Sequence, residues 1–275
     1  MTLSTIRNNP AKQKKVKTKK QKAIAATCAV AFWLLVWHVV SLCVDSELVL
    51  VSPVKVVQTL FTVIFDPDFL KTVWYSAARI LGGFFTALTL GTVLGWVASR
   101  FWVVETLLRP ITAVIKATPV ASFIILVLLW FSGKNLSVII SMLMVFPVIY
   151  MNVLEGIRSA DEKLLEMAQV FRLSVGKKLL YIYLPAVAPF FVSACSVSLG
   201  LCWKSGIAAE VIGTPDGSIG AVFYQAKIFL QTSELLAWTV VVVAVSVAFE
   251  KLFMFLLRLI LKKLKMEDVL NGKRA

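Results

Sequence analysis

The chain has 275 residues, 59% of them hydrophobic and only 16% charged, with a mean hydropathy of +0.85, whereas soluble domains run at about 45–50% apolar and about 25% charged. A soluble fold could not hide that much apolar surface, which excludes a cytosolic enzyme and a free nucleic-acid-binding module. The 29 Lys and Arg against 15 Asp and Glu give a formal charge of +14, which in so apolar a chain is first a signal of membrane orientation and only then of a polyanion partner.

Residues 1–22 carry Arg7 and seven lysines with no acid, a self-repelling solvated tail. The apolar run 23–44 is long enough to cross about 30 Å of hydrocarbon. It exceeds a signal-peptide core and ends in no A-x-A-like site, and Cys43 lacks the small residue that a lipoprotein cleavage site wants before it, so an uncleaved anchor is expected. Residues 45–71 are mixed, with Ser52-Pro53 and Asp66-Pro67-Asp68 as turn signals and an apolar stretch, 57–65, that reads as a short interfacial helix. Five further runs follow, at 73–98, 111–132, 134–155, 187–209 and 235–261, the second and third of these joined by a tight turn at Gly133-Lys134. The expectation is an all-α polytopic membrane protein with six transmembrane helices and both termini on one side. It divides into a basic tail (1–22), the first span with its external segment (23–71), a transmembrane domain (72–261) and a C-terminal tail (262–275).

Lys and Arg placement sets the orientation. Segments 1–22, 99–110, 156–186 and 258–275 hold 8, 2, 5 and 6 basic residues, 21 of the 29, while the opposite segments 45–72, 133–136 and 210–233 hold only Lys55, Lys71, Lys134 and Lys227. Both termini are therefore expected in the cytosol. Trp74, Trp102, Trp130, Trp203 and Trp238 fall near span ends, as an interfacial aromatic belt would place them.

Chemistry-bearing patterns are sparse. No glycine opens a G-x-x-x-x-G-K-[ST] phosphate loop, so ATP binding by this chain is not expected. Cys28, Cys43, Cys195 and Cys202 lack metal-site spacing, and the last two read as small buried core residues, with no metal implied. His38, alone in the first span, is expected to hydrogen-bond to another helix. Lys204 reads either as a lysine snorkelling to the interface or as a charge facing a transport path, paired with Glu210 six residues on. Pro119, Pro147 and Pro189 should kink their spans, and Gly91 with Gly95 forms a G-x-x-x-G helix contact.

The most informative stretch is the loop 156–186. Ser159 or Asp161 can cap a helix over 161–171, with Leu164, Leu165, Ala168 and Phe171 on one face, and Ser174 can cap a second short helix before Pro185 begins the next span. Two short amphipathic helices suit docking into a partner's groove or lying on lipid headgroups. Glu166-Met167-Ala168, followed by Ile182-Tyr183-Leu184-Pro185, resembles the EAA loop of binding-protein-dependent ABC importer permeases, whose pattern is E-A-A, three residues, G, nine residues, I-x-L-P. Met167 replaces an alanine and Arg172 the glycine between the two helices; Gly176 lies four residues on. Ser52-Pro53, Pro119 to Leu129-Trp130-Phe131, Phe146-Pro147 and Ala208-Ala209-Glu210-Val211-Ile212-Gly213 further resemble the nitrate/sulfonate/taurine-type subfamily.

The resemblance implies a type I ABC importer permease fold in the bacterial-type inner membrane, with a cytosolic coupling helix. It implies a dimer of permease chains, by default identical, working with two ATPase subunits that hold ATP and Mg and with an external solute-binding protein. The chain itself would carry no cofactor, no catalytic residue and no nucleic-acid partner. Glu166 would anchor the coupling helix, Ala168 would allow close approach, and Ile182, Leu184 and Pro185 would fix the join to the fifth span. The cargo would be a small solute such as nitrate, a sulfonate, taurine, bicarbonate or a thiamine-precursor pyrimidine. A secondary carrier or a non-transporting scaffold are the alternatives, the first disfavoured by the scarcity of intramembrane charge.

Overall fold

The structure, a computed structural model, describes residues 19–264 apart from Asp45 and Glu47. Most of the expected basic tail, residues 1–18, and residues 265–275 of the C-terminal tail lie outside the described residues. The described chain is helical, in two compact units that meet between Lys55 and Val56. In the first unit, α1 (Lys19–Val44) presents a largely exposed apolar surface over Thr27–Val44, as a lipid-facing span requires. The bond expected of His38 is not made: its Nδ1 is buried without a partner among the described residues, while Ser41 Oγ donates to the His38 carbonyl at 2.7 Å. Helix α2 (Pro53–Ile64) begins with Pro53 where a missing N–H costs nothing, and Ser52 Oγ accepts from the Lys55 amide.

The second unit continues with α3 (Phe69–Arg100), α4 (Trp102–Ala117), α5 (Val120–Leu128), α6 (Gly133–Arg158), α7 (Glu162–Val170), α8 (Val175–Lys178), α9 (Leu184–Gly213), α10 (Ile219–Ile228) and α11 (Thr232–Lys263). Among the described residues, five helical stretches are long and apolar enough to cross a membrane, and six if the bent pair α4–α5 counts as one. That pair corrects the third expected span. Helix α4 starts at Trp102, nine residues before the expected 111, and the chain then turns by 107° between Ala117 and Val120. Proline explains the break: Pro119 has no N–H and forces its predecessor out of helical geometry, and Thr118 sits at φ −80°, ψ 133°. Pro147 and Pro189, by contrast, lie inside unbroken helices.

Helix α6 is the centre, flanked by α3 and α9. Ile80, Phe84, Ala87, Val145, Ile149, Val153, Leu199 and Trp203 form its main core, together with the buried Cys195 and Cys202. Small residues set the spacing. A Cβ on Gly91 would stand 3.0 Å from Ile149 Cβ and one on Gly95 3.0 Å from Val153 Cγ1, so the G-x-x-x-G face lies against α6. On the other flank Ser141 Oγ donates to the Cys202 carbonyl at 3.1 Å. Trp74, Trp102 and Trp130 are exposed, but Trp203 and Trp238 are buried in helix contacts and do not belong to an aromatic belt.

Adjacent glycines give a direct test. A Cβ at position 83 would overlap the Val138 carbonyl oxygen and reach 2.8 Å from Ser141 Cβ, whereas one at position 82 meets open space. G83A is expected to destabilise by about 1–3 kcal/mol through overpacking, lowering the melting temperature of the detergent-solubilised protein. G82A should leave it unchanged or slightly raised.

Candidate functional site

The segment from the end of α6 to the start of α9 folds back on itself. Arg158, in the last turn of α6, pairs with Glu105 in the first turn of α4, each charge favoured by its helix end. Asp161 caps α7: its Oδ1 accepts from the Lys163 amide at 2.9 Å. Ala160, Ala168 and Ile182 are buried together, with Leu165, Leu173, Tyr183 and Ala186 packed around them. Ala168 is 0% exposed, so the third position of the E-A-A pattern has no room for a larger side chain.

Of the four residues expected on one inner face, Leu165 and Ala168 point inward, while Leu164 and Phe171 are exposed. With Met167 and Val170 they make an outward apolar face of α7 with the solvent-exposed Glu166 at its edge, and Val175 is exposed just past the turn. The helix is only nine residues long and packs on one side alone, so a one-position rotation relative to the expected face separates Leu164 from Leu165.

Arg172 occupies the left-handed region, at φ 51°. The Leu173 amide donates to the Ala168 carbonyl at 2.9 Å and the Arg172 amide to that of Gln169 at 3.0 Å, the paired bonds of a Schellman turn. The turn therefore demands the positive φ that glycine adopts freely and arginine does not. Gly176 plays no compensating part: it has no positive φ, and a Cβ there would meet nothing within 4 Å.

After Ser174, α8 does not end as a separate helix. It runs through a π turn at Leu179–Tyr183, where the Leu184 amide donates to the Leu179 carbonyl, directly into α9. Pro185 lacks the amide that would bond the Tyr181 carbonyl, and the widened turn makes room for its ring.

Lys204 and Glu210 are not a pair. Six residues apart on α9 they face different directions, Lys204 exposed and Glu210 0% exposed. Because α9 continues to Gly213, Lys204 lies about 13 Å from its end by helical rise, deeper than the sequence suggests. The Glu210 carboxylate instead holds the start of α10. Ser76 Oγ, on α3, donates to Glu210 Oε2 at 2.6 Å and accepts from the Ile219 amide at 2.9 Å, and the Gly220 amide approaches the same oxygen at 3.4 Å. A side chain at Gly220 would overlap the Glu210 backbone, so α9 and α10 can meet here only through glycine. On another part of the unit, Asp66, Asp68 and Glu234 border a cavity of about 200 Å³ between the α2–α3 turn, α10 and α11.

Comparison with known proteins assigns this architecture. The profile of the family described as binding-protein-dependent transport system inner membrane component matches residues 87–266, from mid-α3 beyond the end of α11. The chain belongs to this family. SsuC of Bacillus subtilis (strain 168), a permease protein named for aliphatic sulfonates transport, is 29% identical over 232 residues, 83% of each chain. The taurine transport system permease protein TauC of Escherichia coli (strain K12) is 27% identical over 78% of this chain and 80% of its own. The nitrate import permease protein NrtB of Synechocystis sp. (strain ATCC 27184 / PCC 6803 / Kazusa) is 25% identical over 74% and 76%. The chain is thus a multi-pass ABC importer permease of the nitrate/sulfonate/taurine type, a transport subunit.

Two residues of this permease that no sequence motif marks, Ser76 and Arg79, stand one helical turn apart on α3 beside Glu210. Nothing in their spacing announced it, since Ser76 bonds a residue 134 positions away. The strained Arg172 gives a prediction: R172G should stabilise the loop by about 1 kcal/mol. That corresponds to roughly fivefold slower hydrogen exchange at the Phe171 and Leu173 amides, with G176A as a substitution that leaves those amides unchanged.

Proposed function

We propose that this permease is the membrane subunit of an ATP-driven importer, forming the translocation path for a small solute handed over by an external binding protein. Two copies would pair, each docked to an ATPase subunit that carries ATP and Mg. The outward apolar face of α7 and the adjoining turn (Leu164, Met167, Val170, Phe171, Val175) carries the reading. A contiguous exposed apolar patch on a loop between spans is costly in water and fits a groove on a partner. In this reading Glu166, at the edge of that face, anchors the loop in the ATPase. Ile182, Leu184 and Pro185 tie the loop to α9, so closure of the ATPase pair moves the spans as rigid bodies. The excess of Lys and Arg in loops 99–110 and 156–186 supports placing this face, and both termini, in the cytosol. The acid-bordered cavity at Asp66, Asp68 and Glu234 then opens outside, toward the binding protein.

The cargo class follows from the relatives and from Lys204. Permeases named for sulfonates, taurine, nitrate and bicarbonate all match this chain, and a lysine exposed deep along α9 suits a path for a small anion or a sulfonate-bearing solute. A thiamine-precursor pyrimidine would have less use for that charge.

Three outcomes check the reading. The permease co-expressed with its ATPase should co-purify with it, and M167D/F171D should abolish the association while leaving the melting temperature of the isolated permease unchanged. E166K should cut ATP-dependent uptake in proteoliposomes by at least about tenfold. K204M should lower anion uptake by about tenfold, and unchanged uptake would remove Lys204 from the path. Intact ATP-dependent uptake in E166K, with no ATPase in the purified complex, would sink the proposal.

A further inference from the structure

Among the described residues, three polar atoms around the Ser76–Glu210 node are buried and lack a hydrogen-bond partner: Glu210 Oε1, Ser137 Oγ and Arg79 Nη1. Buried orphans are rare in folded proteins, and three at one place call for a common cause. They come from α9, α6 and α3. Arg79 follows Ser76 by three residues on the face of α3 that meets α9, where Ile80 packs so tightly that a Cβ on Gly206 would lie 2.6 Å from its Cγ1. The Arg79 guanidinium is close enough to act on the Glu210 carboxylate electrostatically, yet it rests on the Tyr75 ring, 4.3 Å from the centroid.

A bound solute does not account for the vacancy in bonding. A cation at Glu210 Oε1 and Ser137 Oγ would face the guanidinium, and an anion at Arg79 Nη1 would face the carboxylate. The groups that satisfy one another are the two charges. Glu210 Oε2 is already committed to Ser76 and Gly220, the Ser137 hydroxyl lies against the carboxylate from α6, and Arg79, which acts on that carboxylate, keeps Nη1 unbonded.

We propose that Arg79 and Glu210 are positioning residues for transport: they stand apart in the conformation described here and close into a buried ion pair in the opposite transport state. Closure needs only that Arg79 leave the Tyr75 ring while α3 turns slightly against α9. Throughout, Glu210 Oε2 keeps the Gly220 amide while Ser76 of α3 holds the Ile219 amide, so making and breaking the pair acts at the joint that ties α3 to the α9–α10 corner. This rests on the importer reading above, because a pair that alternates needs a protein that alternates.

The test uses the complete complex in proteoliposomes and four permeases: wild type, E210Q, R79Q and R79Q/E210Q. Glutamine at 210 keeps an acceptor for Ser76 and Gly220 and removes only the charge, so the clamp on α10 survives. Each single variant should lose about tenfold in uptake because it leaves one buried charge without its counterpart, while the double variant should recover to within about threefold of wild type. Multiplicative losses, about a hundredfold in the double variant, would overturn the proposal, as would singles that transport normally. The second measurement is the disulfide yield of R79C/E210C in the nucleotide-free and ATP-trapped complex. Yields differing at least threefold between the two states are expected, and equal yields would again overturn it. Absence of ATP-dependent uptake by the wild-type complex would instead fail the importer reading, which keeps the two failures distinct.

Discussion

The close approach of α6 to α3 on one side and α9 on the other is the constraint on which the transmembrane unit depends. In a bilayer the apolar effect does not draw helices together, because lipid tails are as apolar as leucine, so contact has to come from fit and from hydrogen bonds. Here the fit is made by missing side chains: Gly83, Gly91 and Gly95 on α3 admit the α6 backbone, Gly156 on α6 admits Val187, and Gly206 on α9 admits Ile80 and Ser141. The hydrogen bond from Ser141 to the Cys202 carbonyl adds a polar link in the same layer. Three helices joined this closely move together or slide by discrete steps, since no gap lets one side chain yield alone.

The loop that carries the proposed docking face is an extension of that frame. It leaves the C-terminal end of α6 and returns along α9, two helices of that frame. Its small core, Ala160, Ala168 and Ile182, takes one residue from the exit of α6, one from α7 and one from the π turn. A force applied to α7 is thus delivered to both α6 and α9. The Arg158–Glu105 pair connects the same exit to α4, whose far end is the Pro119 break. No bond chemistry is needed on the chain for this to matter.

Much of this was legible in the sequence, for reasons that particular residues make plain. Apolar runs of span length declare themselves through composition, the E-A-A to I-x-L-P spacing located the loop and put Arg172 at its turn, and the cap was narrowed to Ser159 or Asp161, of which the structure uses Asp161. What escaped the sequence was direction and pairing. Leu164 and Phe171 differ from Leu165 and Ala168 only in angle around a short helix, which an apolar count does not resolve. Trp203 and Trp238 look like interfacial residues until neighbouring helices cover them. Pro119 breaks its span while Pro147 and Pro189 do not, because at Pro119 the chain turns away whereas α6 and α9 hold the other two in line. Glu210 and Ser76 are joined across 134 residues, a distance over which local patterning carries no information.

The π turn at Leu179–Tyr183 has a geometric consequence of its own. A single wide turn inserts one residue into an otherwise continuous helix from Val175 to Gly213, offsetting the angular phase of everything before it by about 100° relative to everything after it. Over 39 residues that helix is roughly 58 Å long, the length of a shaft that passes through the whole membrane. The turn works as an indexing collar on this shaft. It sets the azimuth of the loop independently of the azimuth at which Gly206 and Glu210 meet α3, so moving one residue across the collar re-aims either end without repacking the other.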